Sequence, residues 1–486
     1  MIAGCEETEL SGMYAFGDAR APALLPLSRP TRLSLVQLHR HRRRPAEPAH
    51  RDDMSTASSS HVIGLDFGTT NTVVAVSQPS TEPRLVEFAG PISTTDVFRS
   101  ALCFWEDDTA SSGVAVEAGP WAIAEYLAYP AGCRFIQSFK SVAASSNFER
   151  AAIFEQRYTF EALGKAFLGE LTRHAGGELD DRSRRIVVGR PVAYAGGSPD
   201  PALARQRYDL MFEGFGAKIH YVYEPLAAAF TYAARLTDEA TVLVADFGGG
   251  TSDFSVVHMK APGAPERFTA LGHAGIGIAG DDFDFRLLDH LVLPRLGKGS
   301  EYRSFDKSLV IPGSYFADFS NWSRLALMRN RRTMDELRRL QRQAADPAAI
   351  ARLIAVIDNE LGYPLYDAIG RVKRSLSDHE RATFRFSGAG LEIEAEVTRA
   401  MFETWIADDL ARIEATVDEA LATSGVDSAD IDRVFMTGGS SLIPAVHDIF
   451  VRRFAADRVA IGGELTSIAH GLALIGQRDD VVDWST

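Results

Sequence analysis

The residues best suited to chemistry lie in one run, Val242-Leu-Val-Ala-Asp-Phe-Gly-Gly-Gly-Thr-Ser-Asp-Phe-Ser-Val-Val257. Asp246 closes an apolar β-branched stretch. Gly248, Gly249, Gly250 and Thr251 follow, and Asp253 opens a second apolar stretch. Glycines let a backbone approach a ligand closely and can reach φ > 0. A turn built from them points several N–H groups one way and forms an anion nest. The flanking aspartates cannot bind phosphate directly, but they can hold Mg²⁺ through the waters it prefers to keep. Strand, glycine turn and strand, with acids on both sides, suit a Mg-nucleotide. A glycine-rich β-hairpin with surface acids would give the same local pattern.

The run Val62 to Val76 repeats the layout, with Asp66-Phe-Gly-Thr-Thr70 in the place of Asp246-Phe-Gly-Gly-Gly-Thr251. Two copies of one hairpin, far apart in the chain, imply two lobes of common design facing one nucleotide. The interval is too long for a solenoid period.

Such turns need rigid flanks. Arg185 to Pro191 and Lys218 to Tyr223 read as short strands, and Tyr158 to Ala175 carries the helical stripe Phe160, Leu163, Phe167, Leu168 and Leu171. Glu224-Pro225 opens a helix of small residues over Leu226 to Leu236. Further helices are expected over Phe285 to Leu293, Phe319 to Ala345 (one or a pair), Leu361 to Leu376, Arg399 to Ser424 and Ser467 to Ile475. Arg433 to Pro444 reads as strand, glycine turn and helix start. Antiparallel starts followed by alternating strands and helices, twice over, predict an α/β protein with two lobes, each a mixed sheet flanked by helices. The expected division is an extension over 1–60, lobe I over 61–240, lobe II over 241–459, a closing helix over 460–477 returning to lobe I, and a frayed tail over 478–486.

The 486 residues suffice for two or more domains, and 46% hydrophobic with 24% charged residues is ordinary for a globular chain. A formal net charge of −14 leaves no electrostatic footprint for nucleic acid. Cys5, Cys103 and Cys133 are scattered without metal-ligand spacing, which fits a reducing compartment and an expected cytoplasmic location. No apolar run reaches the length of a membrane span. Residues 1–60 combine prolines, the run His39 to Pro45 and serines from Ser55 to Ser60. A transit peptide or a basic tail are readings of this segment. Glu6, Glu7, Glu9 and Asp18 speak against the first, and a disordered extension with translation starting at Met54 is the third.

Four motifs in order, Gly64-Leu-Asp-Phe-Gly-Thr-Thr-Asn71, Glu224-Pro-Leu-Ala-Ala-Ala229, Asp246-Phe-Gly-Gly-Gly-Thr-Ser-Asp253 and Thr437-Gly-Gly-Ser-Ser-Leu-Ile-Pro444, resemble the actin-like ATPase superfamily. More specifically they resemble the nucleotide-binding domain of DnaK-type heat shock protein 70 chaperones, over roughly residues 61–477. Gln137-Ser-Phe-Lys140 and the short C-terminus are most similar to the YegD-like branch, which resembles the ATPase half alone.

The resemblance implies an actin-like ATPase fold with a nucleotide cleft between two lobes, binding ATP or ADP with Mg²⁺. It places Gly68, Thr69, Thr70 and Asn71 at the β-phosphate side, and Gly248, Gly249, Gly250 and Thr251 at the γ-phosphate. Asp66, Asp246 and Asp253 would position Mg²⁺ through waters, since converging carboxylates repel one another unless a cation is present. Lys140 and Glu224 would hold the attacking water, with Asp246 and Thr251 completing the catalytic set. Gly438, Gly439 and Ser440 would face the nucleoside, with Gly280, Lys373 and Ser377 near the ribose and base. Other readings stand beside these. Lys140 would also serve as a surface lysine. Glu224 would also stabilise a helix N-terminus. Asp281-Asp-Phe-Asp284 would also be helix-start acids, and Lys373 with Arg374 a solvated helix face.

The base pocket departs from the family pattern. Gly370 stands where an acid is usual, Leu442 where an arginine stacks on adenine, and Asn71 where a tyrosine is usual. After Gln477 only nine residues remain, so a peptide-clamping domain is not expected within this chain. The leading expectation is a slow DnaK-like ATPase of chaperone type, with unknown clients or co-chaperones and neither nucleic acid nor membrane as partner. A small-molecule (sugar-type) kinase of the same superfamily and a nucleotide-gated scaffold or filament protein are the alternatives.

Overall fold

The computed structural model describes residues 61–486 except 79–80, 182, 235, 262–266, 321–324, 326–327, 329, 389 and 463–465. Expectations for residues 1–60, including Cys5 and Met54, and for part of the helix expected over Phe319 to Ala345 lie outside the described residues.

Two mixed sheets carry the molecule. In the first, β1 (Val62–Phe67) and β2 (Asn71–Ser77) form an antiparallel hairpin, and β3 (Arg185–Arg190) and β4 (Lys218–Tyr223) extend it in parallel on the β1 side. The short strands Arg84–Leu85 and Val97–Arg99 pair with β2 on the other side. In the second sheet, β5 (Ala240–Phe247), β6 (Ser252–Met259) and β7 (Phe268–Ile276) run antiparallel, and β8 (Arg433–Thr437) and β9 (Val459–Ile461) extend β5 in parallel. Both sheets therefore have one order: two parallel strands, the first strand of the hairpin, its return strand, and a third antiparallel element. Buried on both faces, β1 and β5 read as continuous apolar runs rather than alternating ones.

The sheets are joined by two helices that cross over. Helix α1 (Glu224–Ala233) follows β4 of the first sheet but packs against β5 and β6 of the second. Two further helices, α2 (Gly280–Leu291) and α3 (Gly362–Asp378), belong to the second half. Helix α4 (Ser467–Gly476) follows β9 of the second sheet but lies on β1, β2 and β3 of the first. Their composition makes this possible. A Cβ added at Gly471 of α4 would overlap the Ala227 carbonyl oxygen of α1, and one at Gly64 of β1 would overlap Ala469 of α4. Alanine and glycine at these contacts let backbone lie on backbone.

Among the described residues, the three largest buried clusters follow from this arrangement. One lies between the sheets and gathers Val62, Val187, Leu226, Phe230, Val242, Phe435 and Leu472. The other two sit on the outer sides. Phe67, Phe98, Phe139 and Phe167 fill the first, and Phe247, Phe254, Phe283 and Phe450 belong to the second. Each such phenylalanine contributes about 1.5–3 kcal/mol by leaving water.

Two expectations need adjustment. Of the helix expected over Phe319 to Ala345, the α-helical part described in this region is Arg331–Gln343. It buries Met334, Leu337 and Leu340 and exposes Arg331 and Arg332, which meet Asp335 and Glu336. It is a solvated face. The last residues are docked, not frayed. Val481 is buried, the Trp484 ring meets Phe230 edge-on at 4.9 Å, and the Thr486 N–H donates to the Tyr221 carbonyl at 2.9 Å. The apolar partners of Trp484 lie far away in sequence, so a short acidic segment conceals the contact. Among the described residues, no helix is long and apolar enough to cross a membrane.

Candidate functional site

The two hairpin turns meet. A Cβ on Gly249 would overlap Thr70 Oγ1, and one on Gly250 would come within 3.3 Å of Thr69 Oγ1. Neither Gly68 nor Gly248 to Gly250 has a positive φ. These glycines serve close approach rather than left-handed geometry. Gly438 alone among the expected glycines needs it, with φ of +82° beside the Phe247 carbonyl.

Between the turns opens a cleft of about 480 Å³. Its walls include Asp66, Gly68, Thr69, Thr70, Asn71, Lys140, Glu224, Asp246, Gly248, Gly249 and Thr251 at one end. Gly280, Lys373, Ser377, Gly438, Gly439 and Ser440 line the rest, with Gly370 and Leu442. Of the expected residues, Gly250 and Asp253 stand behind the lining rather than in it. Asp253 is directly opposite Asp246 in the β5–β6 register.

Lys140 is not on the surface. Its Nζ donates to Glu224 Oε1 at 2.6 Å, and both side chains are 7% exposed. The two arrive from distant elements. Lys140 sits in a 3₁₀ turn, Phe139–Val142, entered through Ser138 with φ of +54°. Glu224 is the first residue of α1, with Pro225 next, where a missing N–H costs nothing. Gly189 makes room for it: a Cβ there would press on Glu224 Cγ at 3.0 Å.

The acids around this pair are held in an unusual state. Burial, then the Glu224 charge, push Asp66 up to about 8, against the pull of Lys140. Burial and the charges of Glu224, Asp66 and Asp253 drive Asp246 well above the usual carboxylate range. Burial and Glu224 raise Asp253 to about 7. For Lys140, burial works against the ammonium, but Glu224 and Asp66 outweigh it and lift its pKa. Asp253 Oδ1 accepts from the Val192 and Ala193 N–H groups at 2.7 and 3.1 Å, while its buried Oδ2 has no hydrogen-bond partner. Four buried carboxyls against one ammonium, with one oxygen orphaned, form a donor set short of a cation. The residues fit a hard divalent ion such as Mg²⁺.

At the other end, Lys373 of α3 donates to the Gly280 carbonyl at 2.8 Å and pairs with Asp284 at 2.9 Å. It faces the cleft rather than solvent. A Cβ at Gly280 would meet Ser440 Oγ at 2.8 Å and Lys373 Nζ at 3.3 Å, so all three converge. The acids of α2 divide their work. Asp282 Oδ2 accepts from the Ala279 N–H at 2.9 Å and caps the helix, whereas Asp281 and Asp284 line the cleft.

Sequence reasoning did not single out Arg99, Tyr363, Tyr366, Asp281 and Asp284 as cleft residues. Spacing offered a signal only for the last two, at the start of a helix three residues apart.

A family model described as Hsp70 protein matches residues 216–299 and 357–476. The chain belongs to the Hsp70 family. The matched segments contain Glu224, the Asp246–Asp253 turn, Gly280, Lys373, Ser377 and Gly438 to Ser440. The Asp66–Asn71 turn and Lys140 come to the same cleft from outside them. Hsp70 membership makes this an ATP-binding, ATPase-type protein of the chaperone class, and its two mixed sheets flanked by helices form the actin-like ATPase fold.

Proposed function

We propose that this Hsp70-family chain binds Mg-ATP between its two sheets and hydrolyses it slowly, as a DnaK-type ATPase of the YegD-like branch. The observation that carries the reading is the meeting of the two glycine turns above the buried Lys140–Glu224 pair. In this reading Gly68, Thr69, Thr70 and Asn71 wrap the β-phosphate, and Gly248, Gly249, Gly250 and Thr251 receive the γ-phosphate with backbone donors. Lys140 and Glu224 orient the attacking water, the first toward the phosphoryl oxygens and the second as hydrogen-bond acceptor. Gly280, Lys373, Ser377, Gly438, Gly439 and Ser440 hold the nucleoside.

Asp66 and Asp246, backed by Asp253, would hold Mg²⁺ through waters. A bound divalent ion neutralises phosphate charge and fixes the orientation of the chain of phosphates. Phosphoryl transfer depends mainly on positioning and charge neutralisation. Glu224 is already committed to Lys140, so no strong base is free to take the water's proton, and slow turnover follows. Closing of the cleft over ATP and its release after hydrolysis would be a hinge motion.

We assign lobe I to residues 61–240, lobe II to 241–459 and the returning helix to 460–477. Three scattered cysteines without metal-ligand spacing support a reducing, cytoplasmic setting. Gln137-Ser-Phe-Lys140 supports the YegD-like branch.

Mg²⁺-dependent ATP turnover by the purified protein, lost in Lys140→Ala and in Thr251→Ala, is the expected result. No turnover in the wild type would sink the proposal. Stimulation of many-fold by one sugar or small acid would favour a kinase instead.

A further inference from the structure

The cleft wall carries a cation that the reading above does not use. Arg99 ends the short strand Val97–Arg99 and faces Asn71 in antiparallel register, one residue beyond the Gly68–Thr70 turn. Its Nη1 donates to Asn71 Oδ1 at 2.8 Å, and its guanidinium lines the cleft.

Seven acids and four bases line this cleft. Lys140 is tied to Glu224 and Lys373 to Asp284. Among the described residues, Arg99 makes no ion pair. Burial pulls its pKa below the usual guanidinium value, with Arg374 adding to that and Tyr363, Asp281 and Asp367 only partly opposing it. A guanidinium carries five donors in a planar fork, and one contact to a neutral amide leaves most of them unused. Keeping a charge in a concave wall without a paired carboxylate is costly unless a ligand completes its shell.

We infer that Arg99 is a phosphate ligand of the first hairpin, its guanidinium completing its donors on the diphosphate of the bound nucleotide. The inference rests on the nucleotide reading proposed above. The Gly68–Thr70 turn offers backbone N–H groups and hydroxyls but no charge of its own. Arg99, held by Asn71 at the edge of that turn, supplies it. Asn71 is then a positioning residue as well: its side-chain oxygen aims the guanidinium along the turn. Arginine–phosphate contacts are charge-assisted and often bidentate, hence geometrically selective.

Titration of ADP, adenosine and inorganic pyrophosphate into wild type, Arg99→Gln and Arg99→Lys tests this. Glutamine retains a donor for Asn71 and removes the charge. Arg99→Gln should weaken ADP and pyrophosphate by about 10- to 100-fold while leaving adenosine unchanged, since a hydrogen bond to a charged group is at stake. Arg99→Lys should recover part of the loss. Equal weakening of adenosine and ADP would reveal a structural role and overturn the inference. So would wild-type ADP affinity in Arg99→Gln. Wild type that binds neither ADP nor pyrophosphate would overturn the nucleotide reading itself, and this inference with it.

Discussion

The Lys140 ammonium lies 2.6 Å from Glu224 Oε1, with both side chains 7% exposed, in a space also felt by Asp66 and Asp246. Removing one partner of a buried pair strands the other's charge, at a cost of about 3–5 kcal/mol. Lys140→Ala should therefore be destabilised by about that amount and should lose turnover. Lys140→Met combined with Glu224→Gln should regain most of the stability and none of the turnover. Urea unfolding and single-turnover hydrolysis, run on the wild type and both variants, separate the two effects. If the double variant hydrolyses ATP at the wild-type rate, the pair is structural only.

Gly471 and Gly439 contrast in what surrounds them. A Cβ at Gly471 would overlap the Ala227 carbonyl oxygen, whereas nothing stands within 4 Å of one at Gly439. Gly471→Ala forces two helix backbones apart and should cost about 2–3 kcal/mol or more. Gly439→Ala should leave stability within about 0.5 kcal/mol, as at unencumbered sites, while altering nucleotide affinity. Thermal melts and nucleotide titration check both. Equal stability of the two variants would show that the helix pair yields easily.

The cluster of acids sets a pH dependence. Asp66 near 8 and Asp253 near 7 in the fold both lie above their ordinary value of 3.8. Between about pH 4 and 8 the folded state then holds more protons than the unfolded one. Stability of the cation-free protein falls as pH rises through that window. A divalent cation lowers these carboxyl pKa values and releases protons, so its stabilising effect grows with pH. The gain in Tm from Mg²⁺ over EDTA should be larger at about pH 8 than at about pH 6. A gain that does not change with pH would argue against ion binding by these carboxyls.

The Tyr126 hydroxyl donates to the Glu360 carbonyl at 2.5 Å, and Arg134 pairs with the Glu360 carboxylate. The rings of Tyr126, Phe135 and Tyr363 pack within 4.9 to 5.7 Å of one another. Tyr363 belongs to α3 and lines the cleft, so this contact joins the first half of the chain to the second at the cleft wall. Tyr126→Ala should speed nucleotide release about tenfold, because opening a closed cleft commonly limits release. Stopped-flow release of a fluorescent ADP analogue reads the effect. An unchanged rate would mean that the clasp does not gate the cleft.

The two turns that meet in the cleft were legible in the sequence, because their pattern is local. Asp66 to Asn71 and Asp246 to Asp253 each carry acid, glycine and hydroxyl within one turn. Glu224 was legible through its proline, though not its partner: Lys140 lies 84 positions away, and only the family resemblance joined them. Arg99, Tyr363 and the Trp484 dock were not legible. Arg99 ends a three-residue strand, too short to show a period, and Tyr363 and Trp484 act through rings contributed by distant segments. The glycines were recognised for two reasons, of which close approach proved the operative one where the two turns meet.

The crossing of α1 and α4 has a consequence for how the molecule can be taken apart. Each sheet is covered on its inner face by a helix that the chain delivers from the other half. A cut in the connection after Ala233 would therefore not release two self-sufficient pieces. Each fragment would carry the cover its partner lacks and expose the inner face of its own sheet. The halves resemble two hands with fingers interlaced: they share one fold by exchange, and reassembly from fragments, rather than independent folding, is the behaviour this architecture dictates.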